Sequence, residues 1–139
     1  MSGFGDEILA AGTAALEEAM QITRIAAGNL CDNVIDRTPV LTGNLRSGWR
    51  GSETGEGGTD FGISKVAAIV PAEVTKANVR AALSRWDGYK PFLLYNDVVY
   101  GPQIEYDGWS AKAPEGMVRI SAARWPLFVQ DAVRQVGDM

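Results

Sequence analysis

The chain has 139 residues, 46% hydrophobic and 22% charged, with a formal net charge of -4 and no histidine. That length suits a single domain with one moderate core, and the composition is that of an ordinary globular protein. Without imidazole, Ser-His-Asp, Cys-His and His-metal chemistries are excluded from this chain alone. The surplus of acid disfavours a protein that grips phosphates through clustered Lys and Arg.

Cys31 is the single cysteine, so no intrachain disulfide forms; its place in an apolar-periodic stretch reads as a small buried side chain on a helix. The amino terminus carries acids before its apolar residues and no basic region. Together with apolar runs far shorter than a membrane span, this predicts a protein made and kept in a cytoplasm, with no membrane partner.

In chain order, Leu9, Leu16, Met20, Ile25, Leu30 and Val34 recur with helical spacing and predict a long helix over 6–37. Ser2 or Asp6 is placed to cap it, and Thr38-Pro39 to end it. Such a helix is longer than a small domain covers. Gly12 and Gly28 are candidate bends, and the protruding part is a candidate contact for a neighbouring subunit.

Leu45, Ser47 and Trp49 alternate with Arg46, Gly48 and Arg50, which predicts a strand over 44–52. Residues 51–62 are rich in glycine and acids without a period and read as a flexible loop or hairpin tip. Within it, 55-GEGG-58 lacks the Gly-Lys-Ser/Thr ending of a phosphate loop and is surrounded by Glu53, Glu56 and Asp60.

Val74, Val79, Leu83 and Trp86 predict a second helix over 72–86, and 91-PFLLYND-97 a buried strand with Pro91 at its edge. Gly101-Pro102 and Asp107-Gly108 break the chain that follows. Residues 117–136 carry a last helical stripe through Val118, Ala122, Trp125, Val129, Ala132 and Val136, which Pro126 kinks or splits. The sum is one α+β domain over 1–139: a long N-terminal helix and a small, mostly antiparallel sheet, with a middle and a C-terminal helix packed on it.

Three groupings could carry chemistry. Asp97, Glu105, Asp107 and Glu115 could form an acid-base pair or an oxygen-ligand metal site, but their spacing fits no ligand loop and reads better as surface carboxylates around turns. Arg46, Arg50, Lys65, Lys76, Arg80, Arg85 and Lys90 surround Trp49 and Trp86 in the middle of the chain, a mixture also met in single-strand binders. Both tryptophans fall on apolar phases, which favours core packing. Finally, 104-IEYDGWSAKAPEGMVR-119 combines Tyr106, Trp109, Met117 and Arg119, residue types enriched where proteins touch, with turn residues. No catalytic residue, cofactor site or metal site emerges, and contact is the work the residues suit best.

Two stretches, 38-TPVLTGNLRSGW-49 and 94-LYNDVVYGPQIEYDGWSAKAPEGMVR-119, resemble the head-tail joining, tail-completion (neck) proteins of tailed bacteriophages, the family typified by phage HK97. The matched positions cover a little over a quarter of the chain. Gly48 stands where the family often has Ser, and Asp107 is an extra residue before Gly108-Trp109.

The resemblance implies a structural, non-enzymatic virion protein, present in the host cytoplasm during assembly. It implies self-assembly into a ring, usually a hexamer, that joins the capsid connector and its adaptor proteins to the tail tube protein, with DNA passing through unbound. On that reading Arg46, Trp49, Glu105, Tyr106, Trp109, Met117 and Arg119 are the interface candidates. Alternatives are a connector-side adaptor or stopper of the same neck and, from a different class, a nucleic-acid-binding module. A carboxylate metalloenzyme is a distant third.

Overall fold

A computed structural model of the chain describes residues 3–40, 42–57 and 62–138. Helix α1, Phe4–Arg37, is continuous over 34 residues, about 51 Å at the usual rise. Asp6 reaches back from the first turn, where the Gly3 amide donates to its Oδ2 at 3.3 Å. Ser2, the other expected cap, lies outside the described residues. The helix ends at Thr38, as the following proline dictates; the Thr38 backbone turns extended and its hydroxyl donates to the Val34 carbonyl at 2.8 Å.

The strand expected over 44–52 is two elements. Gly43, at φ 88°, turns the chain into a single helical turn, α2 (Asn44–Ser47), and only Arg50–Ser52 form strand β1. Leu45 and Trp49 are both buried, and their separation by four residues is a helical spacing as well as an alternating one. The helical reading wins because Gly43 supplies a left-handed residue at no steric cost, and a Cβ there would also press on Ile69 at 2.9 Å. Residues 51 and 52, where the expected strand and the expected loop overlap, belong to β1. Residues 53–57 turn against Pro91 and Tyr95, and 58–61 lie outside the described residues.

Helix α3, Ala72–Arg85, buries Thr75, Val79, Ala82 and Leu83, with Thr75 in place of the expected Val74, which is exposed. Strand β2 is shorter than expected, Leu93–Tyr95, half-buried, and antiparallel to β1 with Arg50 opposite Tyr95. A parallel bridge of Ile63 to Val98 adds one more ladder contact. A short helix, α4 (Gly101–Tyr106), occupies the stretch where only chain breaks were expected; Pro102 sits in its first turn, where its missing N–H is not needed.

The last helical stripe is split at the expected place, into α5 (Val118–Ala122) and α6 (Trp125–Gly137), with Pro126 in the first turn of the latter. The α+β architecture is thus the expected one, except that the C-terminal helix packs on α1 and not on the sheet, because two strands of three residues offer a face only wide enough for α3. Helix α1 packs on α3 and α6, α3 on β1, and one apolar cluster lies among them: Cys31, Val34, Ile35, Leu45, Trp49, Val79, Val98, Ala113 and Met117.

Candidate functional site

The loop between α4 and α5 is built around one carboxylate. Glu105, 6% exposed, accepts hydrogen bonds from the backbone amides of Met117 (3.0 Å), Val118 and Arg119 (3.1 Å). The Arg119 guanidinium donates to the Glu105 backbone carbonyl, stands 3.5 Å from its carboxylate, and lies 5.0 Å from the centre of the Tyr106 ring. Gly116, at φ 85°, lets the chain pass: a Cβ there would fall 1.7 Å from Glu105 Oε2. The three amides hold the carboxylate more firmly than the long, half-exposed ion pair does.

The interface candidates therefore divide. Trp49 and Met117 are core residues; the Trp49 indole donates to the Thr38 hydroxyl at 2.8 Å, which ties the end of α1 to the second residue after α2. Glu105 is buried, and Arg119 is committed to Glu105. Trp49, Met117 and Glu105 thus support a surface from below, while the Arg119 side chain, held by Glu105, stays half-exposed. Arg46 is half-buried on α2, while Tyr106 and Trp109 are the candidates displayed to solvent, at 68% and 65% exposure.

Trp109 forms one wall of a groove of about 1050 Å³. The lining also takes in Pro39, Val40 and Thr42 to Leu45, the Thr-Pro and Thr-Gly segment, together with Val66, Ile69, Tyr100 and Ile104. Asn44 fixes these parts to each other: its amide donates to the Ser64 carbonyl (3.0 Å) and the Tyr100 hydroxyl (3.2 Å), and its oxygen accepts from the Val66 amide (2.7 Å). The groove is mainly apolar, and among the described residues Lys65 and Lys112 are its charged residues and no acid lines it. Sequence reading missed Val66 and Ile69, because 66-VAAIV-70 has neither helical nor strand period and its apolar run ahead of Pro71 was the one available signal; Lys65 stands in the basic grouping and Lys112 in the second family-like stretch, but neither was placed at a groove.

A second exposed apolar surface lies elsewhere. Residues 4–19 of α1 are exposed throughout, with Phe4, Ile8, Leu9 and Leu16 open to solvent, so the protrusion expected of an over-long helix is present. None of the described helices is long and apolar enough to cross a membrane.

The other groupings are absorbed by the fold. Lys76 pairs with Asp36 (2.6 Å), Arg80 with Asp32 (2.7 Å) and Arg85 with Glu53 (3.1 Å), so much of the basic middle of the chain is locally neutralised. Trp86 packs edge-on to Phe92 and donates its indole N–H to the Lys90 carbonyl. Glu105 spends its carboxylate on α5, and among the described residues no three of Cys, Asp or Glu cluster to hold a metal ion. Of the glycines at 55–58, Gly55 and Gly57 back onto Pro91 and the Tyr95 ring, and Gly58 is outside the described residues. Burial pushes the Cys31 thiol up to about 12, with the neighbouring Asp32 charge adding to the rise and Arg80 opposing it, so the thiol stays protonated and unreactive near neutral pH.

No protein-family model matches the chain, and neither does any curated protein or solved structure.

Proposed function

We propose that this chain is a structural subunit of the head-tail junction of a tailed bacteriophage, a ring of the tail-completion type that joins the capsid connector to the tail and leaves a channel for DNA. It works by assembly, without catalysis or cofactor. One observation carries the reading: the two stretches that resemble the neck family converge on a single apolar groove, while the free half of α1 holds a second, different apolar surface away from it. A ring closed by rotation needs two unlike surfaces on every subunit, one to give and one to receive. Isolated apolar residues on a surface are ordinary, but a contiguous apolar groove walled by an exposed tryptophan is the kind of patch that partners cover.

The test is an electron micrograph of intact particles in which this subunit is labelled. The label is expected at the head-tail junction, and its height along the axis separates a tail-side ring from a connector-side adaptor or stopper. Particles built without the chain that still join heads to tails, or turnover of a small molecule by the purified chain, would contradict the proposal.

A further inference from the structure

We infer that the protruding half of α1 from one copy seats in the groove of the next, apolar stripe inward and acidic residues toward the lysines at the groove. The inference rests on the assembly reading above and names the contact that would build it.

The occupant has to come from another chain. From Ala26 to Ile35, α1 is anchored in the core, and the helix continues unbroken to Phe4, so its free half cannot fold back onto the groove of its own copy. Sixteen residues of exposed helix, 4–19, extend about 24 Å. Phe4, Ile8 and Leu16 lie on one row with a spacing of four, and Gly12 completes the row with nothing within 4 Å of a Cβ placed there, while Met20, next along it, packs over Gly88 of its own chain. Rows of this spacing are the ridges that helices press into grooves.

Charge chooses between possible occupants. Before Arg24 the helix carries Asp6, Glu7, Glu17 and Glu18 and no Lys or Arg, whereas the groove carries, among the described residues, Lys65 and Lys112 and no acid. An acidic, apolar helix and a basic, apolar groove complement each other across an interface. The rival arrangement, two α1 halves zipped together side by side, sets acids against acids and gains no cation. Because donor and acceptor are different surfaces, the contact is head-to-tail and propagates until it closes.

A charge-swap experiment tests this on the full chain. One variant carries Glu7→Lys, Glu17→Lys and Glu18→Lys, the other Lys65→Glu and Lys112→Glu; all five are surface changes, and unchanged melting of each variant confirms that folding is intact. Each variant alone is expected to self-associate about tenfold more weakly than wild type by sedimentation velocity. Their equimolar mixture is expected to recover wild-type association, since each reversed helix then meets a reversed groove. Wild-type association by either variant alone, a mixture that stays apart, or a wild-type chain that remains monomeric at millimolar concentration would overturn the helix-in-groove contact. The neck reading is judged separately by the labelled particles: a junction label with a monomeric free chain sinks the contact alone. A closed reciprocal dimer that obeys the charge swap keeps the contact and sinks the ring.

Discussion

Glu105 illustrates how a residue that looks like chemistry becomes architecture. Its sequence neighbours, Tyr106, Asp107 and Trp109, suggest an exposed polar cluster, yet it is buried beneath that cluster and accepts three backbone amides. Gly116→Ala should cost about 3 kcal/mol, because a non-glycine residue at φ 85° is strained and its Cβ displaces the carboxylate. Glu105→Gln, which keeps an acceptor and loses the charge, should cost about 1–3 kcal/mol. Trp109→Ala, on the exposed rim, should stay within about 0.5 kcal/mol of wild type while weakening self-association. Urea denaturation orders the three. Equal loss of stability in all of them would mean that Trp109 is part of the fold, and wild-type stability of the Gly116 variant would mean that Glu105 does not hold the loop. A second residue-scale prediction concerns pH. The folded chain keeps the Cys31 proton up to about 12, whereas the unfolded thiol releases it near its ordinary value of 9.0, so the thiol's contribution is intact below pH 9 and is lost as pH rises from there toward 12. Its slope is about 1.4 kcal/mol per pH unit. Cys31→Ala should lower stability at pH 7 by removing a core atom and fall less steeply than wild type between pH 9 and 11; parallel slopes would refute the assignment.

At the scale of elements, boundaries were legible where backbone chemistry is absolute and obscure where two periods coincide. Thr38-Pro39 ends α1 and Pro126 divides the last stripe, because a proline's missing N–H and its ring act whatever the surroundings. Leu45 and Trp49 satisfy strand alternation and helical spacing alike, and the tie was broken by Gly43, whose positive φ shows in coordinates and only as a possibility in sequence. Helix α4 was hidden because a proline in a first turn and a proline that ends an element read alike. The groove was legible in the family-like stretches that supply most of its lining, Tyr100 and Ile104 included, and illegible in Val66 and Ile69, which the fold brings to it from a segment without a period. The glycines of α1 make a prediction at this scale. Gly12 sits in open space, so Gly12→Ala should stabilise the local helix by up to about 1 kcal/mol, seen as slower amide exchange around residues 8–16. Gly28 is different: a Cβ there would lie 2.5 Å from Arg80 Nη1, whose Nη2 is 2.7 Å from Asp32. Gly28→Ala should therefore gain little or lose, since the helix preference is offset by moving a side chain held against α1. Equal gains at both positions would show that Arg80 yields freely.

For the whole molecule, the decisive quantity is where the charge goes. Thirteen Lys and Arg face seventeen Asp and Glu, and a basic patch could still grip DNA if those cations stood together and free. Four of them are tied down: Lys76 and Arg80 pair with acids of α1, Arg85 with Glu53 just after β1, and Arg119 with Glu105. The tryptophans that would stack on bases are no more available, Trp49 being buried and Trp86 half-buried against Phe92. A strand binder needs an unpaired cationic track and exposed rings along one groove. The groove that does exist offers two lysines and one exposed indole, and the helix with matching charge in this chain is its own α1. The expected outcome with a labelled oligonucleotide, single- or double-stranded, is anisotropy that changes little at physiological salt and gains only weakly when salt is lowered tenfold. A steep salt dependence with tight binding would mean that the ion pairs open to release their cations, and would move the molecule from an assembly subunit to a nucleic-acid binder. On the proposed neck reading, flat behaviour is what a channel wall would require, because a wall that released counterions to hold each phosphate would also have to be torn from each phosphate as a genome moved through it.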